Sequence, residues 1–316
     1  EKSEFSIHRH ARSGSKWKTY VDRISEIRSS VTSGGYSHVI FSGMSSLLAS
    51  LLVPKDGRKF VAIAHGGDVN PVNAIERKLV NKALQKSDLI IPVSNFSASK
   101  ITAGNVGRKI KVIPNGFDLE NIGDISVPEK SMKPGALRLI SVGTVWPRKG
   151  HHNVLRILPE LRKIFPGIRY DIIGRKADMS KVNEMMTPDI KEIAVFHGQA
   201  DNRKLMSLLN ESDIFILLSE TQKSGDFEGF GIAVIEGNFF GLPAIGSRNS
   251  GLEDAISNNY SGMLVDPSND RDIISAVEKI VSDYGTFSRN AREWAMKHHW
   301  SNIIRSYINE LERISG

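Results

Sequence analysis

Two carboxylates, Glu228 and Glu236, frame the segment EGFGIAVIE. The Gly-Phe-Gly between them predicts a turn running into a helix, with Glu228 just before the helix and Glu236 on it. At a rise of about 1.5 Å per residue the two would be separated by roughly 10–12 Å. A glycosidase pair is tighter, about 5–9.5 Å around one bond. The wider spacing suits the two ends of an extended ligand. Between them, Gly229 and the backbone N–H groups of Phe230, Gly231 and Ile232 stand at a helix start, a natural seat for a phosphate. A sugar near Glu228, a pyrophosphate at the helix start and a ribose diol near Glu236 fit this pattern. The blander alternative is an acidic residue favouring the helix dipole plus an incidental buried glutamate.

A second signal is SVGTVWPRKG, residues 141–150. A strand runs into a turn at Gly143-Thr144, and Arg148-Lys149 opens the next helix. Arginine offers planar bidentate contact to phosphate, and lysine a compact point charge. Two cations aimed at a diphosphate would neutralise the charge that develops as its bond breaks, an effect of about 3–4 kcal/mol for one good donor. The alternative is a solvated pair of loop charges. His65, in HGGD, follows a strand, where a histidine taken alone is most often a hydrogen-bonded loop residue.

Other signals carry less. Asp270-Arg271-Asp272 spells the D-x-D of metal-dependent transferases, but it opens a helix and reads as capping. His298 and His299 are adjacent, and neighbours on a helix do not face each other, so no zinc pair is expected. His8, Arg9, His10 and Arg12 read as a basic terminus. Neither GxGxxG nor a P-loop is present.

The elements that position these residues alternate between short apolar runs and helical patterns, which predicts parallel sheets with crossover helices. In the first half the expected strands are 38–43, 60–66, 89–94 and 111–116, after a helix at 17–31; SSLLASLLV at 45–53 reads as a buried helix. Residues 119–136 gather Pro, Gly and charge and read as a linker. A second series follows at 137–143, 170–174, 194–198, 213–219, 242–247 and 262–266, with a helical tail from about 270. The implied architecture is α/β, with two Rossmann-like domains and a ligand cleft beyond the carboxyl ends of the strands. The expected division is a first domain over 1–122, a linker at 123–136, a nucleotide-binding domain over 137–295, and a C-terminal helix at 296–316 that packs back on the first domain.

The 316 residues suffice for two such domains. With no cysteine, disulfides and thiolate metal sites are excluded. No apolar run approaches the roughly 18–20 residues of a membrane-spanning helix. The net charge of +7 is uneven: residues 1–134 hold 20 Lys and Arg against 12 Asp and Glu, the rest 22 against 23. A basic first half could meet an anionic membrane surface or an anionic acceptor, or serve only solubility.

Taken together, EGFGIAVIE, SDLIIPVSNFSA (87–98), IPNGFD (113–118), VGTVWPRKG (142–150), FHGQ (196–199), GLPAIGSRNSGLEDAI (241–256) and GMLVDP (262–267) resemble the retaining GT-B glycosyltransferases of family four. The resemblance covers roughly residues 36–310. The loop SETQKSGDFEGFG looks like that of the mannosyltransferases acting on lipid or polysaccharide acceptors, and the chain as a whole resembles lipid and polysaccharide mannosyl- and glucosyltransferases. It implies that Arg148 and Lys149 bind the donor diphosphate, that Glu228 and His65 meet the sugar, and that Glu236 holds the ribose. Gly143, Thr144, Gly174, Arg175, Gly198 and Gln199 would complete the donor site, with His197 beside the base. The donor would be a UDP-, GDP- or ADP-sugar and the acceptor a saccharide or lipid-linked sugar, in cell-surface polysaccharide or glycolipid synthesis. No cofactor, metal or nucleic acid is implied. Residence would be cytoplasmic, with the basic half at the inner membrane face. The implied mechanism is front-face transfer with no protein nucleophile.

Three departures stand out. Thr144 replaces the family's arginine, Asp254 stands where a glutamate is usual, and residues 1–35 lack the family's opening strand and glycine-rich loop. The first domain is thus expected to be shortened. A second reading, a non-catalytic or partner-dependent subunit that binds nucleotide or glycan, stays open on these grounds.

Overall fold

The computed structural model describes residues 16–118, 129–132 and 135–316. The basic opening at 8–12 and most of the expected linker lie outside the described residues. Apolar runs make the strands, and several, such as 89–92 and 214–217, are buried on both faces, as parallel sheets covered by helices require. In the first half, α1 (Lys16–Ser33), β1 (His38–Ser42), α2 (Met44–Ala49), β2 (Lys59–Ala64), α3 (Ala74–Lys86), β3 (Leu89–Pro92) and α4 (Asn95–Ser99) follow in order. They give a parallel sheet ordered β1-β2-β3. The strand expected at 111–116 does not form. Its segment makes an isolated bridge, Ile90 with Ile110, and two bonds, Lys111 N–H to Ile90 O and Ile113 N–H to Pro92 O. The rung between these two bonds would need an N–H on Pro92, which has none.

The second half holds β4 (Ala136–Val142), α5 (His151–Ile164), β5 (Gly167–Ile173), α6 (Ser180–Met185), α7 (Pro188–Ile193), β6 (Ala194–Gly198), α8 (Asn202–Glu211) and β7 (Ile214–Leu217). Then come α9 (Ile232–Phe239), β8 (Ala244–Ser247), α10 (Leu252–Ala255), β9 (Gly262–Val265), α11 (Asp270–Ser282), α12 (Tyr284–Lys297) and α13 (Trp300–Ser315). The six strands are parallel in the order β6-β5-β4-β7-β8-β9. The order reverses between β4 and β7, and that switch point is where such sheets bind ligands.

β4 begins at Ala136, inside the segment read as linker. Lys130, from that segment, donates to the carbonyls of Leu209, Asn210 and Ser212 and so caps the C-terminal end of α8. The helical tail breaks at His298-His299, and His299 Nδ1 accepts from Ser301 N–H as the N-cap of α13. Beyond the break, Ile303 and Tyr307 pack with Val61, Leu89, Ile91 and Ile113 of the first half. Asp270-Arg271-Asp272 does open α11, but Asn269 provides the cap, while Asp270 and Asp272 pair with Arg156 and Arg248.

Beneath the switch point runs a buried polar chain. Ser141 donates to Ile216 O, so its oxygen takes the Tyr170 hydroxyl proton at 2.8 Å. The Tyr170 oxygen is then left to accept from His151 Nδ1 at 3.2 Å. His151 is 1% exposed, and burial, with Lys149 next to it, lowers its pKa from 6.5 to about 4. Between these values the unfolded chain takes up a proton that the folded chain refuses. Stability therefore falls as pH drops from 6.5 and levels off below about 4, a loss of about 3 kcal/mol from this group. Burial lowers His152 and His298 in the same sense. The melting temperature of the wild type should fall across this window, and His151→Asn, which keeps a donor without titrating, should fall less steeply. Parallel curves for the two proteins would contradict the assignment.

Candidate active site

The two cationic and acidic motifs follow β4 and β7, the strands on either side of the reversal. After β4 the chain turns at Gly143 and Thr144, and a short 3₁₀ turn at Pro147–Lys149 presents Arg148 and Lys149. After β7 it loops to Glu228 before α9 begins at Ile232. The structure brings the three side chains together. Lys149 Nζ donates to Glu228 Oε2 at 2.5 Å and Arg148 Nη1 donates to the same oxygen at 3.0 Å. Arg148 Nε also lies 2.9 Å from Asp226 Oδ2, an ion pair whose angle falls outside hydrogen-bond geometry. Glu228 is only 8% exposed, and two cations offset the cost of burying it. Its Oε1 takes no bond among the described residues.

Glu236, the fifth residue of α9, is half-buried and has no hydrogen bond or ion pair among the described residues. Burial raises its pKa. Gly231 caps α9 with a left-handed backbone and no side-chain bond. Phe230 is buried. Its ring is a core residue packed near His298, and its amide lies against Gly251, whose N–H bonds Glu228 O. Ile232 is 41% exposed.

The remaining positions gather at the ends of β4, β5 and β6. Gly174 N–H bonds Gly198 O, and Gly143 N–H bonds Ile173 O. A Cβ on Gly174 would lie 1.9 Å from Gly143 O, so only glycine allows this approach. Arg175 accepts from Val145 N–H through its carbonyl and leaves its side chain exposed, as is Gln199. His197 does not face the cleft: its Nε2 lies 2.6 Å from Asp171, a fully buried carboxylate that also meets Arg169.

From the first half, His65 follows β2, with Nε2 2.7 Å from Ser42 Oγ at the end of β1. Its N–H and that of Gly66 donate to Asp68. The two halves meet here. A Cβ on Gly229 would lie 1.7 Å from His65 O. Ser97 Oγ donates to Gly229 O, Asn95 donates twice to Asp254, and the Phe96 ring meets Phe227 edge-on at 5.1 Å. Asp254, flagged above as a departure, thus ties the second half to the start of α4. Sequence reasoning missed Ser42, Trp146 and Asp226. Trp146 lines a cavity with Gly143, Thr144, Arg148, Lys149 and Arg175. It lies inside the cationic motif, where an aromatic beside Pro was a legible signal; Asp226 and Ser42 had none.

A model described as Glycosyl transferases group 1 matches residues 126–298, more than half of the chain, and one described as Glycosyltransferase Family 4 matches residues 8–121. The chain belongs to the group 1 glycosyltransferase family. It is 27% identical over 223 residues to the amylovoran biosynthesis glycosyltransferase AmsK of Erwinia amylovora, covering 69% of this chain and 54% of that one. It is 24% identical over 265 residues to a GDP-mannose-dependent alpha-(1-6)-phosphatidylinositol monomannoside mannosyltransferase of Mycolicibacterium smegmatis, covering 81% and 69%. The chain spans about half the length of the first curated relatives it matches. The crystal structure of Anabaena Alr3699/HepE in complex with UDP and glucose superposes with a TM-score of 0.74 at 18% identity, covering 94% and 82%. The fold is accordingly that of the GT-B glycosyltransferases. No helix among the described residues is long and apolar enough to cross a membrane.

Because Gly229 is tight only across the domain contact, Gly229→Ala should force the two halves apart there. The expected result is a larger radius of gyration by small-angle scattering and a lower melting temperature. Unchanged values would show that the contact does not hold the halves together.

Proposed function

We propose that this chain transfers a hexosyl unit, with retention, from a nucleoside-diphosphate sugar to a saccharide or lipid-linked acceptor. The observation that carries the reading is the pairing of Arg148 and Lys149 on one oxygen of Glu228 at the switch point, with Glu236, on the next helix, unpartnered among the described residues. The cations would bind the diphosphate and stabilise the charge it gains as it leaves, and preorganised charge of this kind contributes about 3–4 kcal/mol per good donor. Glu228, kept in place, would accept from sugar hydroxyls. Glu236 would accept from the ribose diol, which relieves the cost of its partnerless burial. Retention without a protein nucleophile follows if the leaving diphosphate takes the acceptor proton on the same face. His65, held by Ser42, would border the sugar from the opposite domain. Family membership supports the transfer. The UDP of the Anabaena complex and the GDP-mannose named for the mycobacterial relative support a nucleoside-diphosphate donor.

The test is a thermal-shift panel of UDP, GDP, ADP and their common sugars, with Arg148→Ala and Glu236→Gln as paired variants. One base should raise the melting temperature, since ligand at 100 times its dissociation constant adds about 2.7 kcal/mol. Arg148→Ala should abolish the shift. Glu236→Gln should weaken binding about ten-fold, the loss of one charge-assisted hydrogen bond. No shift with any diphosphate would overturn the catalytic reading and favour the non-catalytic one.

A further inference from the structure

Three cavities of the cleft share one residue, Asp226. The cavity that holds Arg148, Lys149 and Arg175 is among them. The Asp226 carboxylate has one ion-pair partner among the described residues, Arg148 Nε at 2.9 Å. Its side chain is 48% exposed, so burial does not require a cation beside it, and a half-exposed pair of this kind adds little to stability. The position also works against an anionic ligand. A carboxylate this close to Arg148 repels the diphosphate that the same arginine would bind. A group that adds little stability and opposes the ligand must act in some other way.

The geometry of Arg148 supplies that action. Its Nη1 donates to Glu228 Oε2 at 3.0 Å, an oxygen already shared with Lys149. One such bond leaves a guanidinium free to turn about it. A second carboxylate at Nε, on another edge of the same plane, fixes both the plane and its rotation. Nη2 makes no hydrogen bond among the described residues and is left for a ligand. Asp226 is itself held from two sides. Its loop closes through Gln222 N–H to Asp226 O at 2.8 Å and Gly225 N–H to Gln222 O at 2.9 Å. The base of the loop is fastened to the arginine main chain by Glu220 N–H to Arg148 O at 2.8 Å. On its other side the loop rests on the first half. A Cβ on Gly67 would lie 3.4 Å from Asp226 Cα, and one on Gly225 would lie 2.9 Å from Val72 Cγ2.

We propose that Asp226 is a positioning residue for the transfer: through Nε it holds the Arg148 guanidinium in the orientation that meets the diphosphate as its bond to the sugar breaks, while weakening the binding of the intact donor. The proposal rests on the transfer reading above. Asp226 acts through Arg148 and touches no reacting atom. An arginine held at two edges needs no reorientation when charge develops on the leaving group, and only help given at that moment speeds the reaction.

The hold on Arg148 is read in the full chain without ligand, from the Nε–H signal in nitrogen-15 NMR, assigned by its loss in Arg148→Lys. The signal should be resolved and slow to exchange with solvent in the wild type, and lost to exchange in Asp226→Ala. Turnover is read as release of nucleoside diphosphate, with water as the acceptor, from the nucleotide sugar that raises the wild-type melting temperature. Asp226→Ala should lower kcat on the order of 10- to 100-fold, as misplacement of a group at the reacting centre does. It should bind the nucleoside diphosphate about five-fold more tightly, as removal of one like charge about 4 Å away in water implies. Its melting temperature should hold. Asp226→Glu should recover much of the lost kcat. In Arg148→Lys, which has no guanidinium to hold, adding Asp226→Ala should cost no further kcat. An Nε–H signal unchanged by Asp226→Ala, an unchanged kcat, a fall in kcat that Asp226→Glu does not relieve, or weaker nucleotide binding would overturn the proposal. Nucleotide binding by the wild type with unchanged kcat in Asp226→Ala removes the role of Asp226 alone. No nucleotide binding by the wild type, with the Nε–H signal lost in Asp226→Ala, removes the transfer reading and leaves Asp226 only a structural partner of Arg148.

Discussion

The carbonyl of His65 lies against the Cα of Gly229 so closely that a side chain there would overlap it. This backbone contact joins the end of β2 to the loop that follows β7, and most of the cleft depends on it. It puts the His65 ring and the Glu228 carboxylate in one chamber. Around it, Ser97 with Gly229, Asn95 with Asp254 and Phe96 with Phe227 close the remaining surface between the halves. A contact made by main chain has no rotamers through which to relax, so the distance across the cleft is set by the two sheets themselves. α13 reinforces it from behind, since it leaves the second half at His298-His299 and packs on the sheet of the first.

Charge in the cleft is arranged with similar economy. Arg148 and Lys149 both spend their bonds on a single oxygen of Glu228. Two cations on that oxygen offset part of the cost of burying the carboxylate, and its second oxygen stays open to a ligand. The helix α5 starts directly after them at His151, which burial keeps neutral near pH 7. Protonated, that histidine would place a third positive charge next to Lys149, which is part of why its pKa is low. Glu236 is the converse case, a carboxylate desolvated by burial with no partner among the described residues to offset the cost. Buried groups left in this condition concentrate at functional sites.

The order of strands and helices, the two cationic and acidic motifs, and the family itself were legible in the amino-acid sequence, because each depends on short-range rules. Short apolar runs such as IFIL and AIGS, bounded by turn residues, read as buried strands, and the glycines that end VG and IIG mark their ends. The run at 110–113 fits the same pattern and yet makes no strand, since Pro92 on the neighbouring strand has no N–H to give it, a gap that periodicity alone cannot see. The spacing of Glu228 and Glu236 identified both carboxylates and left their partners undetermined.

What the tertiary structure alone decided is which groups meet across long sequence separations. Asp226 reaches Arg148, Asp254 reaches Asn95, Lys130 caps α8, and His197 turns to Asp171. None of these follows from local spacing, because each distance is the sum of several strand positions and helix packings. The exposed Ile75 and Leu79 are of this kind too. In sequence α3 is an ordinary amphipathic helix with lysines among its aliphatics. Only the packing of Val80, Ala83 and Leu84 against the sheet shows which aliphatics remain outside. A sequence specifies the type of each element through neighbours a few residues apart; the faces those elements turn to one another, and so the composition of a site, are set by how the whole chain closes.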